Sequence, residues 1–250
     1  MNWFERRRIT TAAGQSSVRT YRRELRSWRR REWRVLVPIG ALAVASYGLL
    51  AWISDDSGSF LTGFFAGAVV AVAVCLAARP PSYVENHQLG AWGEQRTAKV
   101  LDPLMREGWR IVHDVSRAKS NIDHLVIGPG GVFVLDSKNL SGLVGVRSGR
   151  LGRASSASQN PRWDDVQARS VRAQAHTVHQ RISKAGPAPW VTGVVVLWAD
   201  FPQGCTEGDR MTYVHGDQLL DWLRAKPVVL STAAVGRIAE LWEPGRHRAA

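Results

Sequence analysis

Two uncharged runs stand out in the hydrophobic pattern, Val35–Ile53 and Phe60–Ala78. Ala, Val, Leu and Gly occupy every helical face in them, where a surface helix would keep its apolar residues to one stripe. Each run has 19 residues, and at 1.5 Å per residue that is about 28 Å of helix, near the thickness of a bilayer core. A short acidic stretch, Ser54–Ser59, separates them. The pattern predicts a two-helix transmembrane hairpin over 35–53 and 60–78.

After Arg79-Pro80-Pro81-Ser82, where two prolines break any helix, the pattern alternates between helical and extended periods. It predicts a helix from about Asn86 to Glu107, then strands at Trp109–Val115, Asn121–Ile127 and Gly131–Lys138. Shorter strands follow at Leu143–Arg147 and Arg150–Ala154, with turns at Gly128–Gly131, Ser141-Gly142 and Ser148-Gly149. A helix is expected over Pro161–Lys184, because Pro suits a first helical position. Val166, Val171, Ala175, Val178 and Ile182 give it an apolar stripe. Val191–Trp198 reads as a strand covered on both faces. Met211–Val214 and helices at Gly216–Ala225 and Ser231–Trp242 complete a mixed α/β sandwich. The organisation is an arm (1–34), the hairpin (35–78), a linker (79–86) and an α/β domain (87–250).

Charge adds to this picture. The net charge is +12, but residues 1–34 hold 11 Arg and 3 Glu, so the other 216 residues carry only +4. With the arm on one side of the hairpin and Arg79 on the other, the positive-inside rule predicts a two-pass protein of the cell membrane with both termini cytoplasmic. The arginines would face an anionic lipid bilayer, each contributing on the order of 1 kcal/mol. Cys75 and Cys205 show no metal-ligand spacing, which argues against a zinc site or a disulfide framework. No Walker loop, dinucleotide fingerprint or Ser-His-Asp order occurs.

The chemistry gathers in Asn121–Asn139, NIDHLVIGPGGVFVLDSKN. Alternation along the second strand places Val132, Val134, Asp136 and Lys138 on one face. Asp123 lies near the start of the partner strand. Two carboxylates can hold Mg²⁺ or Mn²⁺ through hard oxygen ligands, and a lysine beside them can hold an attacking water or a phosphate by charge. The same residues could equally form an ion pair at a strand end, with Asp123 capping a turn. His124 points to the face opposite Asp123, which suits a structural role.

Gly90-x-x-Gly93-Glu94, Asn121-Ile122-Asp123-His124 and Gly131–Asn139 resemble the blocks of the NERD (nuclease-related) domain. That family is similar to the PD-(D/E)xK restriction-endonuclease-like superfamily, and the likeness covers roughly Leu89–Trp198. It implies an αβββαβ core, a mixed sheet flanked by helices, and hydrolysis of DNA or RNA phosphodiesters. Asp123 and Asp136 would be the metal ligands and Lys138 a catalytic residue. Glu94 would be a third carboxylate approaching from the first helix. A glutamine of the following helix, Gln167 or Gln174, would meet substrate. NERD domains usually carry Glu where this chain has Asp136. The alternative is an inactive module that keeps the fold and binds nucleic acid or a protein.

Overall fold

The computed structural model describes residues 15–53, 63, 67–72, 82–116, 121–155, 158–208 and 211–243. The chain forms two compact units, one spanning Val18–Gln88 and one containing Leu89–Ala250.

In the first unit, α1 runs without a break from Gln15 to Ile53. Residues 15–34 of the arm and the first apolar run are therefore one helix, with Pro38 in its interior. The expected membrane hairpin is not supported. Among the described residues no helix is long and apolar enough to cross a membrane. The first run shares its helix with the arginines of the arm. The second falls largely outside the described residues, which show helix there only at 63 and 67–72.

The second unit is built on a mixed sheet. Its elements are α2 (Ser82–Leu101), β1 (Arg110–Val115), β2 (Ile122–Gly128), β3 (Gly131–Arg147), β4 (Arg150–Ser155), β5 (Ser158–Asp164), α3 (Val166–Ser183), β6 (Val191–Asp200), β7 (Cys205–Gly208), β8 (Met211–His215), α4 (Leu219–Arg224) and α5 (Thr232–Glu240). The strand order is β1-β2-β3-β6-β8-β7, and β4 and β5 extend from β3. The first three strands form an antiparallel meander, while β6 pairs parallel to both β3 and β8. Alternation along β3 sends Val132 and Val134 into one apolar layer, with Val171 and Val178 of α3 and Val235 and Ile238 of α5. Phe133 and Leu135 go into the other, with Leu101 of α2 and Leu219 and Leu223 of α4. A strand buried on both faces needs apolar residues at every position, and Val194–Leu197 in β6 supply them, each fully buried. Burying one such side chain contributes about 1.5–3 kcal/mol.

The observed elements depart from the expected ones where a proline or glycine acts differently from its usual preference. The first helix is α-helical only to Leu101 and tightens into a 3₁₀ turn over Asp102–Glu107, where Pro103 lacks a donor. Ser141-Gly142 does not turn the chain. Gly131–Lys138 and Leu143–Arg147 form one 17-residue strand, and the register on β6 shifts between Asn139 and Leu143. Gly142, at φ +84°, absorbs that irregularity as a bulge glycine does. Pro161 opens no helix. It lies in β5, which pairs only with β4, so its missing donor costs no ladder bond on the outer edge. The helix begins instead at Val166, and Val166 is exposed where the apolar stripe had placed it inside. Strand β7 went unread, and the expected Gly216–Ala225 helix opens with a 3₁₀ turn over Gly216–Gln218.

Candidate active site

The β2–β3 register brings the acidic residues together. His124 lies opposite Leu135, so the next step along the ladder sets Asp123 opposite Asp136, and facing residues of an antiparallel pair share a side of the sheet. Lys138 stands two residues further along the same face of β3. Its Nζ lies 2.8 Å from Asp136 Oδ2 and donates to Oδ1 at 3.0 Å. Asp123 Oδ2 accepts the Ser137 backbone N–H at 2.8 Å, which locks the first carboxylate to the strand carrying the second. The Lys138 side chain keeps 31% of its surface exposed against 11% for Asp136, so the pair is open to a solute on the lysine side.

The electrostatics are those of crowded negative charge. Burial raises the pKa of Asp123 well above the usual carboxylate range, and the neighbouring charges of Asp136 and Glu94 raise it further. Lys138 and the Ser137 hydrogen bond pull the other way without restoring it. For Lys138, burial favours the neutral amine, but Asp136, Asp123 and Glu94 outweigh it and hold the pKa above its ordinary value. Glu94, on α2 and 8% exposed, thus acts on both residues through its charge.

Ser137, between Asp136 and Lys138, points to the opposite side of the strand and meets α2. Its hydroxyl donates to Thr97 Oγ1 at 2.8 Å, and Trp198 Nε1 donates to the same oxygen at 2.9 Å. Thr97 donates in turn to the Gly93 carbonyl at 3.0 Å. A hydroxyl has one proton and two lone pairs, so the fully buried Thr97 uses all of its capacity. This knot ties the helix bearing Glu94 to the strand bearing Asp136 and Lys138. Asn139 Nδ2 donates to the Leu89 carbonyl at 3.1 Å, and the Arg96 guanidinium lies 3.9 Å from the Trp198 ring centroid. None of Thr97, Ser137 or Trp198 was read as a site residue from sequence. The available signals were the serine inside Asp-Ser-Lys and a threonine one helical turn after Glu94.

Of the two glutamines, Gln174 lies nearer the site. It is buried, and its Nε2 donates to the Asn121 carbonyl at 3.3 Å, two residues before Asp123. Gln167 lies two turns earlier on α3, and the Oε1 atoms of both glutamines are buried without a hydrogen-bond partner. His124 turns away from the carboxylates. Its Nδ1 lies 2.7 Å from His113 Nδ1. Burial holds His113 down at about 4, and burial together with the His113 charge holds His124 well below the ordinary histidine value. Both rings are therefore neutral near pH 7.

Among the described residues no three His, Cys, Asp or Glu side chains form a metal-binding group. The donor set still suits a cation of the Mg²⁺ class, which binds through one or two carboxylates and keeps several waters. Two hard-oxygen side chains face each other, and the mutual repulsion that helps to raise Asp123 is what a cation would relieve. Residues 89–198 match the family described as NERD, the nuclease-related domain. No curated protein and no solved structure matches the chain.

Proposed function

Because residues 89–198 are a nuclease-related domain, we propose that the chain hydrolyses phosphodiester bonds of DNA or RNA with Mg²⁺ or Mn²⁺ at Asp123 and Asp136. The observation that carries this reading is the facing of Asp123 and Asp136, with Lys138 Nζ 2.8 Å from the second carboxylate. When bound, the metal supplies a more acidic water and charge to stabilise the phosphoryl oxygens. The protein's own part is placement. The Ser137 N–H fixes Asp123, and Asp136 holds the Lys138 ammonium protonated and aimed. Lys138, on the open side, holds a phosphate oxygen or the attacking water by charge. Glu94 keeps the field at Asp123 negative, and Gln174 bounds the site from α3.

A second reading, a binding module without catalysis, is favoured by the ion pair that Asp136 already makes with Lys138. Incubating the full chain with supercoiled, linear and single-stranded DNA and with RNA, in Mg²⁺, Mn²⁺ or EDTA, separates the two. The expected outcome is metal-dependent cleavage, reduced at least about a hundredfold in Asp136→Ala and Lys138→Ala, as for loss of an electrostatic stabiliser. Absence of cleavage with every substrate selects the binding module.

For location we propose the cytoplasmic face of the cell membrane. Arginines of the arm and exposed Trp33, Val35, Val37 and Leu42 share α1, and contiguous exposed apolar surface marks an interaction site.

A further inference from the structure

Beyond the bulge at Asn139–Leu143, β3 leaves the main sheet and pairs with β4, and β4 pairs with β5. This three-stranded wing contains two cross-strand pairs of like charge, Arg147 opposite Arg150 and Arg153 opposite Arg162. Like charges directly opposite one another destabilise a sheet, and all four arginines are exposed. Arg153 is steadied by donating to the Ser141 carbonyl at 3.0 Å. None of the four pairs with a carboxylate among the described residues. The wing also concentrates the domain's charge. Residues 141–164 hold four arginines and one aspartate, +3 of the +4 carried by residues 35–250.

Beside the Arg147–Arg150 pair lies an aromatic platform on the same face of the wing, while Arg153 and Arg162 alternate to the opposite face. Gly145, Gly152 and Trp163 form one row across the three strands. Trp163 lies so flat on the glycines that a Cβ at Gly152 would fall 2.6 Å from its ring. The indole is 37% exposed, beside Leu143 at 50%, and these residues with Pro202 and Gln203 line a shallow trough of about 260 Å³. Arginine supplies phosphate contacts, and an exposed indole offers a stacking surface worth about 1–3 kcal/mol per base.

We propose that this face of the wing is a nucleic-acid contact surface, with Arg147 and Arg150 on phosphates and Trp163 stacking on an unpaired base. The proposal rests on the nuclease reading for its choice of polyanion.

The test is equilibrium binding of the full chain to fluorescein-labelled single-stranded and duplex oligonucleotides in EDTA, over a range of salt. The wild type is compared with Arg147→Gln/Arg150→Gln and with Arg153→Gln/Arg162→Gln, the arm being the same in all three. Arg147→Gln/Arg150→Gln should bind duplex about tenfold or more weakly, with the salt slope reduced by about 1.8, the value for two lost phosphate contacts, whereas Arg153→Gln/Arg162→Gln, on the opposite face, should lose less. Ultraviolet crosslinking of a 5-iodouracil-substituted single strand to the full chain should give an adduct on Trp163, located by peptide mass spectrometry. Unchanged affinity and slope in Arg147→Gln/Arg150→Gln, or an equal loss in both variants, would overturn the proposal. So would adducts confined to the arm, or a loss in the variants of binding to phosphatidylserine vesicles but not to oligonucleotides. The failure of the nuclease reading looks different: wing-dependent binding persists, and no substrate is cleaved.

Discussion

At Asp123 three carboxylates converge on one ammonium, and the pH behaviour of the site follows from that. Its folded pKa lies above the value of 3.8 for the free group, so between the two values the native state binds more protons than the unfolded one. The contribution to stability is present below pH 3.8 and is lost as pH rises through the folded pKa. Above the folded pKa the ionised group is a load on the fold. Asp123→Asn keeps an oxygen for the Ser137 N–H and removes the charge. In EDTA at pH 8 it should raise the thermal midpoint, by about 2–4 °C for each kcal/mol relieved, while abolishing cleavage. At pH 4 the gain should shrink. An equal gain at both pH values, measured by calorimetry, would refute the electrostatic account. The residue types and spacing of Asp123, Asp136 and Lys138 were readable in the sequence, because strand alternation needs no tertiary information. The direction of the Asp123 shift was not, since it depends on Glu94 arriving from a helix about thirty residues earlier.

Among the elements, the pairing of α2 with β3 through Thr97 holds the geometry. Thr97→Val keeps the shape but leaves the Ser137 hydroxyl and the Trp198 N–H facing a methyl group. A buried group left unsatisfied costs about 1–3 kcal/mol. Urea unfolding should therefore show a loss of that order for Thr97→Val, whereas Thr97→Ser, which retains the three bonds, should stay within about 1 kcal/mol. Equal losses in both variants would mean that packing, not hydrogen bonding, makes the tie. Most strands and the helix Val166–Ser183 were legible as elements because their periods are strong. The misreadings came from residues whose role is set by neighbours. Gly142 looks like a turn but sits at a bulge, because β3 finds β4 and β6 on either side. Pro161 looks like a helix start but occupies an edge whose outer donors have no partner to lose. The Thr97 knot joins residues up to 101 apart, and no local pattern encodes such a contact.

Taken as a whole, the molecule keeps most of its basic charge in two places, the arginines of the arm and the wing formed by β3, β4 and β5. The two are expected to answer differently to salt and to surface. Sedimentation with phosphatidylserine vesicles should show binding that weakens as salt shortens the Debye length from about 10 Å at 0.1 M. It should fall sharply when Arg22, Arg23, Arg26, Arg29 and Arg30 are replaced by Gln. Vesicle binding indifferent to those replacements would remove the arm from the account of location. The long strand Gly131–Arg147 has a consequence of another kind. It carries the acid–lysine pair near its middle and Arg147 as its last residue, so the spacing between the two is a covalent length rather than a packing distance. The strand is a ruler, graduated at about 3.3 Å per residue, and the bulge at 139–143 is the one place where its scale can be reset without disturbing either end.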